Sequence, residues 1–180
     1  MSGDIPAAVQ ELLDKQALHE LVLNYCRASD RRDLATIRSL YHDDAIDDHG
    51  AMFSGPVDEF IAWLPSAMAN FEATSHIVAN ALFSIDGDHA NGEIYALAYH
   101  RTRPPDAEEI LITGRYLDRY ERRDGVWRFI HRSLALDGCE AHDVRPDAYS
   151  HFAAGATMGS PDEADPSYGQ LPLFRRGLKV

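Results

Sequence analysis

The sequence predicts an α+β fold, with N-terminal helices packed on a curved antiparallel sheet. Two observations carry this. Apolar residues recur at helical spacing as far as about residue 71, and from residue 74 onward they alternate with polar ones. The alternating half is divided into four runs by Gly, Asp, Asn and Pro, the pattern of strands joined by short turns.

The first helix is expected over residues 5–29, where Val9, Leu12, Leu13, Ala17, Leu21 and Tyr25 share helical spacing and Asp4 is placed to cap. A short second helix follows from Leu34, with Leu34, Ile37, Leu40 and Tyr41 on one face and Asp33 as its cap. The segment "HDDAIDDHG" reads as an edge strand or an extended turn. A third helix starts at Pro56, with Asp58 and Glu59 at the positive end of its dipole. Its apolar stripe is Phe60, Trp63, Leu64, Ala67 and Phe71, and Pro65 is expected to kink or interrupt it. The four strands are "TSHIVANALFSIDG", "HANGEIYALAYHRTR", "EEILITGRYLDRYERRDG" and "GVWRFIHRSLALDG". Asp124-Gly125 carries a hairpin signal, and the glycine of "ANGE" is read as a second hairpin turn.

The 180 residues suffice for one domain, expected over residues 1–138. Residues 139–180 form a turn-rich tail: a pocket flap, an oligomer arm or a loose end. A net charge of −12 argues against nucleic acid or anionic membrane as partner. Neither a signal peptide nor an apolar run long enough to span a bilayer is evident, so a cytoplasmic protein is expected. Cys26 and Cys139 have no CxxC spacing and read as free thiols.

Among residues able to do chemistry, His76 heads the first long strand. An imidazole there becomes an effective base when a carboxylate accepts its second N–H. Asp30, oddly placed at the negative end of the first helix, is a candidate for that carboxylate. The alternative is a solvated Asp30 paired with Arg31 or Arg32. Tyr25 lies about 140° around an ideal helix from Asp30, so both face one pocket only if the helix loosens before Asp30. Otherwise Tyr25 is a core aromatic. The cluster of His42 and His49 with four aspartates could collect a hard cation, but reads better as solvated turns, and no metal site is expected. With His76 facing inward, alternation turns Ala96, Ala98 and His100 inward on the second strand, and Ile112, Gly114 and Tyr116 on the third. Small residues at these places leave room for a bulky alicyclic substrate. Tyr116 is either a hydrogen-bond donor to an oxyanion or a packing aromatic.

The order of features is familiar: "Y-x4-D-x2-D" closing the first helix, then "LYHDDA", a "GP" helix start, "SHIVAN" and "YERRDGVWRFIHR". Over about residues 8–138 this resembles the SnoaL-like branch of the nuclear transport factor 2-like superfamily. The resemblance implies a cone-shaped α+β barrel. It is nearest to the cofactor-free lyases, namely scytalone dehydratase, bile-acid 7α-dehydratase and hexachlorocyclohexane dehydrochlorinase.

In those enzymes an Asp at the end of the first helix orients a His that abstracts a substrate proton, which carries onto Asp30 and His76. A catalytic tyrosine of the bile-acid enzyme falls on Tyr25, and an arginine assisting the leaving group falls on Arg132. The resemblance thus implies a hydro-lyase without cofactor, acting on a steroid-like or other polycyclic substrate. Catalysis would rest with His76, Asp30, Tyr25 and Arg132. Substrate would meet Tyr116, Ala96, Ala98, Ile112, Gly114, Phe71 and His100. The alternatives are an isomerase or dehydrohalogenase using the same dyad, or a non-catalytic apolar-ligand carrier or dioxygenase small subunit. A homo-oligomer is expected, a trimer or else a dimer.

Overall fold

The computed structural model describes residues 5–105, 107–145, 150–151 and 153–177. Helix α1 (Ala7–Asp30) follows Pro6, whose fixed φ suits a helix entry; the cap expected at Asp4 lies outside the described residues. Leu18, Leu21, Val22 and Tyr25 of α1 are buried, whereas Val9, Leu12 and Leu13 project into solvent. In their place Asp14 is buried, accepting hydrogen bonds from Arg122 Nη1 at 2.8 Å and Trp127 Nε1 at 2.9 Å.

The end of α1 is a Schellman turn. Arg32 takes the left-handed position with φ of 49°. Its N–H reaches Ser29 O at 3.1 Å, and the N–H of Asp33 reaches Ala28 O at 2.8 Å. Asp33 then caps α2 (Leu34–Ser39), accepting from Thr36 N and Thr36 Oγ1. Helix α3 (Val57–Met68) starts after Pro56 and is not interrupted at Pro65. Three residues follow that proline, so the hydrogen bond its missing N–H forgoes is lost close to the C-terminal end, and the helix runs on only to Met68. Phe71 belongs to the next strand and not to the stripe of α3.

Six strands form one unclosed sheet in the order β2-β1-β6-β5-β4-β3. They are β1 (Tyr41–Asp48), β2 (Ser54–Pro56), β3 (Phe71–Asp86), β4 (His89–Thr102), β5 (Glu108–Arg123) and β6 (Val126–Asp143). The fold is α+β as expected, and β3 to β6 are an antiparallel meander. One expectation fails: "HDDAIDDHG" supplies β1, which lies inside the sheet and pairs parallel with β6. The sheet is therefore mixed. A parallel pair needs a long connection, and everything from α3 to β5 lies between these two strands. Strand β6 also runs five residues past residue 138, to Asp143.

Register shifts at Val78/Ala81, Arg119/Tyr120 and Thr113/Gly114 mark bulges, the usual source of strong curvature. The bulge in β6 lets Phe129 and Arg132, three residues apart, face the same concave side. Asp124 and Gly125 have φ of 54° and 79°, as a two-residue hairpin turn requires. Gly92 of "ANGE" is not a turn. It lies within β4, where an added Cβ would stand 3.0 Å from the Tyr120 ring and 2.9 Å from Ile94 Cδ1. The β3–β4 turn is at Gly87 and Asp88 instead.

Candidate active site

Asp30 is the last helical residue of α1 and reaches across to β3. Its Oδ1 accepts from His76 Nδ1 at 2.7 Å and Thr74 Oγ1 at 2.9 Å, and its Oδ2 accepts from the His76 backbone N–H at 2.9 Å. A carboxylate only accepts, so His76 carries a proton on Nδ1 and presents Nε2 as the free nitrogen. Three donors offset the unfavourable helix dipole. Arg31 and Arg32 do not pair with Asp30: Arg31 meets Asp165, and Arg32 donates to Phe71 O.

The register places His76 opposite Ala98, Ala98 opposite Ile112, and Ile112 opposite Cys139. The neighbouring row is Val78, Ala96, Gly114 and Leu136, and the row beyond His76 holds Thr74, His100, Ile110 and Ala141. Ala96, Ala98, His100, Ile112 and Gly114 thus share the face of His76. Gly114 answers a packing need: a Cβ there would meet Ala135 O at 2.7 Å. The His100 ring lies 5.4 Å from His76 and 4.7 Å from Phe71. Burial, with the charge of His76 second, pulls the His100 pKa down to about 4.

Tyr25, Tyr116 and Arg132 form a separate cluster deeper along the same face. Helix α1 stays regular through Asp30, so Tyr25 does not turn towards His76. Its ring makes edge contacts with Tyr41, Tyr116 and Phe129 at 6.0–6.3 Å and is only 4% exposed. The Arg132 guanidinium lies 4.1 Å from the ring centroids of Tyr25, Tyr116 and Phe129. It is 0% exposed and gives two hydrogen bonds to Asp118, from Nε at 2.8 Å and Nη2 at 2.7 Å. Arg132 has no surface with which to touch a departing group. Burial foremost raises the pKa of both tyrosines, so each stays a neutral O–H.

Sequence reasoning missed Asp118 and Asp47. Asp118 continues the inward alternation of Tyr116 and Tyr120, and that spacing was the available signal. Asp47 was grouped with the solvated aspartates, yet it is 0% exposed and accepts from Tyr41 Oη at 2.7 Å and His49 Nδ1 at 2.5 Å. Asp43 and Asp44 are indeed exposed, paired with Arg38 and Arg123. His42 turns away and donates to Glu121 O. Among the described residues no three His, Cys, Asp or Glu side chains gather as a metal site. Nor is any helix among them long and apolar enough to cross a membrane.

A helix-covered curved sheet with a carboxylate–imidazole pair on its concave face defines the class. Residues 10–133 match the SnoaL-like domain family, and the chain belongs to it. Uncharacterized proteins of Mycobacterium tuberculosis and Mycobacterium bovis are 26% identical over 128 residues, covering 69% of this chain and 86% of theirs. A candidate scytalone dehydratase of Novosphingobium aromaticivorans superposes with a TM-score of 0.68 at 22% identity, covering 77% of this chain and 93% of that one. A hexachlorocyclohexane dehydrochlorinase of Novosphingobium barchaimii gives 0.68 at 22% identity, covering 78% and 100%. At these identities the likeness is one of fold.

Proposed function

We propose that this protein is a cofactor-independent lyase that removes water from a bulky hydroxylated alicyclic or steroid-like compound. The observation that carries the reading is the Asp30–His76 pair, with three donors fixing the carboxylate and Nε2 of His76 left without a partner among the described residues. That is the arrangement a general base needs: one nitrogen held, the other open, and a carboxylate to stabilise the cation formed. Apolar and small residues around it, Val78, Ala96, Ala98 and Ile112, suit a ring system better than a small acid. The similarity of the fold to dehydratases and dehydrochlorinases supports elimination as the reaction class.

In the proposed reaction His76 Nε2 takes a proton from a carbon acidified by a conjugated carbonyl. Asp30 holds the tautomer and stabilises the imidazolium. Tyr25 and Tyr116 supply neutral hydroxyls at the floor of the site, and Arg132 holds their rings from beneath. The protein acts in the cytoplasm as a homo-oligomer, a trimer on the resemblance of its fold.

The test is turnover of bicyclic and tetracyclic hydroxy-ketones, followed by the ultraviolet absorbance of the new conjugated double bond. A general base contributes about 10²–10⁴-fold, so His76→Ala should lose at least that much. Unchanged turnover in the variant rules the mechanism out. A parallel set of chloro-ketones separates loss of water from loss of chloride.

A further inference from the structure

The convex face of the sheet, turned away from Asp30 and His76, carries a depression of about 310 Å³. Asn91, Leu117, Arg119, His131 and Ser133 line it. Strand alternation fixes this placement: Tyr116, Asp118 and Tyr120 are buried on the concave side, so Leu117 and Arg119 point the other way. Asn91 likewise stands between the buried Ala90 and Gly92. The register sets Asn91 opposite Arg119, Arg119 opposite His131, and Leu117 opposite Ser133. Three side chains able to donate hydrogen bonds therefore lie in one row, about 5 Å apart from strand to strand.

The ion pairs around this row give it its character. On β4, β5 and β6, Arg101, Arg115, Arg122, Arg123 and Arg132 each meet a carboxylate. Arg119 has neither an ion pair nor a hydrogen bond among the described residues, although the chain holds 29 acids against 17 bases. The side chains of Asn91 and His131 have none there either. The bordering acids are engaged elsewhere. Glu93 pairs with Arg115 at 2.8 Å, Glu121 with Arg123 at 2.6 Å, and Asp48 accepts from Gly50 N at 2.9 Å. Asp118 also borders the depression, but its carboxylate is buried on the concave side against Arg132. Arg128, opposite Glu121, is a second arginine with no ion pair among the described residues, and its Nε is buried without a hydrogen-bond partner. A solvated arginine is ordinary on a protein surface. An arginine flanked in register by two further donors, in a depression whose bordering acids are engaged, is a place for an anion.

We propose that this row binds an organic monocarboxylate, held by Arg119 with Asn91 and His131 donating from either side and its apolar body lying on Leu117. One fixed positive charge matches a monoanion, and the planar guanidinium fork fits a carboxylate through two parallel hydrogen bonds. An imidazole and a primary amide each add an N–H. Leu117, 40% exposed and two residues from Arg119 on the same face, offers the apolar contact. The depression is at the lower end of the range for small-molecule sites, about 300–1,000 Å³, and so has room for more than an inorganic ion. Arg115, bound to Glu93 and Asp137, separates the row from the exposed Leu97 and Ile77. The site shares no residue with the Asp30–His76 pair and does not depend on the lyase reading.

The test is titration of the native protein with benzoate, followed by calorimetry and by the amide resonances of Asn91, Arg119 and His131. Benzamide is the neutral counterpart, acetate the carboxylate without an apolar body, and inorganic phosphate the small polyanion. Benzoate should bind and shift those resonances, benzamide should not, and acetate should bind more weakly than benzoate. Arg119→Gln should weaken benzoate about tenfold or more, the worth of one charge-assisted hydrogen bond. Since Arg119 has no partner in the fold, the remaining resonances of the variant should match the native ones. Leu117→Ala should bring benzoate down towards acetate. Benzoate binding that Arg119→Gln leaves unchanged would place the ligand elsewhere and overturn the proposal. Phosphate binding more tightly than benzoate at the same resonances would overturn the carboxylate class. A native protein that binds no benzoate, with Arg119→Gln lowering its mass in solution, would make the row a contact between copies and sink the ligand site.

Discussion

His100 is a second imidazole beside the proposed base, facing His76 and the Phe71 ring on the concave side. Its imidazole stays neutral down to about pH 4 in the native protein, while the unfolded chain takes up that proton near 6.5. Between these values the unfolded state binds more protons, so stability falls as the pH is lowered through the window and is unaffected by this group above it. The contribution between pH 7 and 4.5 is about 2 kcal/mol, allowing for partial exposure. Urea unfolding of His100→Gln should therefore show a flatter dependence on pH than the native protein over that range. Parallel curves for the two would refute the assignment. At this scale the sequence exposed types and spacings but not depth. By residue type alone the pairing of His76 with Asp30 stood beside a solvated Asp30, and it was the order of the family's motifs that singled the pair out. Asp47 was hidden among three other aspartates, because only the parallel pairing of β1 with β6 buries it, and no local pattern announces that pairing.

Elements carry the site by the way they end. A Schellman turn normally uses Gly at its left-handed position, and here Arg32 fills it. The strain is met by contacts from elsewhere: Arg32 Nη2 donates to Phe71 O, and Arg176 Nη2 donates to Arg32 O. The second contact comes from the tail, which docks against the C-terminal end of α1. Arg31 Nε meets the buried Asp165 at 3.1 Å, and Arg27 lies 5.0 Å from the rings of Tyr168 and Phe174. The helix cap at Asp165, accepting from Ser167 N, shapes α4 (Pro166–Gln170) for this contact. Asp165→Ala should loosen residues 160–177 and raise amide exchange there and at the end of α1, while β4 and β5 keep their protection. Exchange unchanged at the end of α1 would show that the tail does not brace it. The sequence could name this tail but not its destination, since the contacts are single charges over long sequence distances. Helix and strand periods, by contrast, repeat within a few residues and were readable.

The whole molecule is a sheet with one face covered. Helices α1 and α3 close the concave side, and the convex side of β3, β4 and β5 presents Ile77, Tyr95, Leu97, Leu111 and Leu117, each more than a third exposed. Ile77 pairs with Leu97, and Leu111 with Tyr99. Arg115, opposite Tyr95 and bound to Glu93 and Asp137, separates Leu117 from the rest. Exposed apolar side chains gathered on one sheet face mark a protein interface, and a monomer seldom leaves such a patch in water. A second copy of the chain is the expected cover, its own convex face supplying the same side chains. Light scattering coupled to gel filtration should return a multiple of the 20.1 kDa chain mass. Leu97→Glu, which places a charge at the centre of the patch, should shift the mass to that of one chain. The Asp30–His76 pair lies on the opposite face of the sheet. If the oligomer only covers apolar surface, the isolated Leu97→Glu chain keeps its turnover of the hydroxy-ketones. If curvature of the sheet depends on the neighbour, turnover falls with the mass. A native mass of one chain would sink the interface outright.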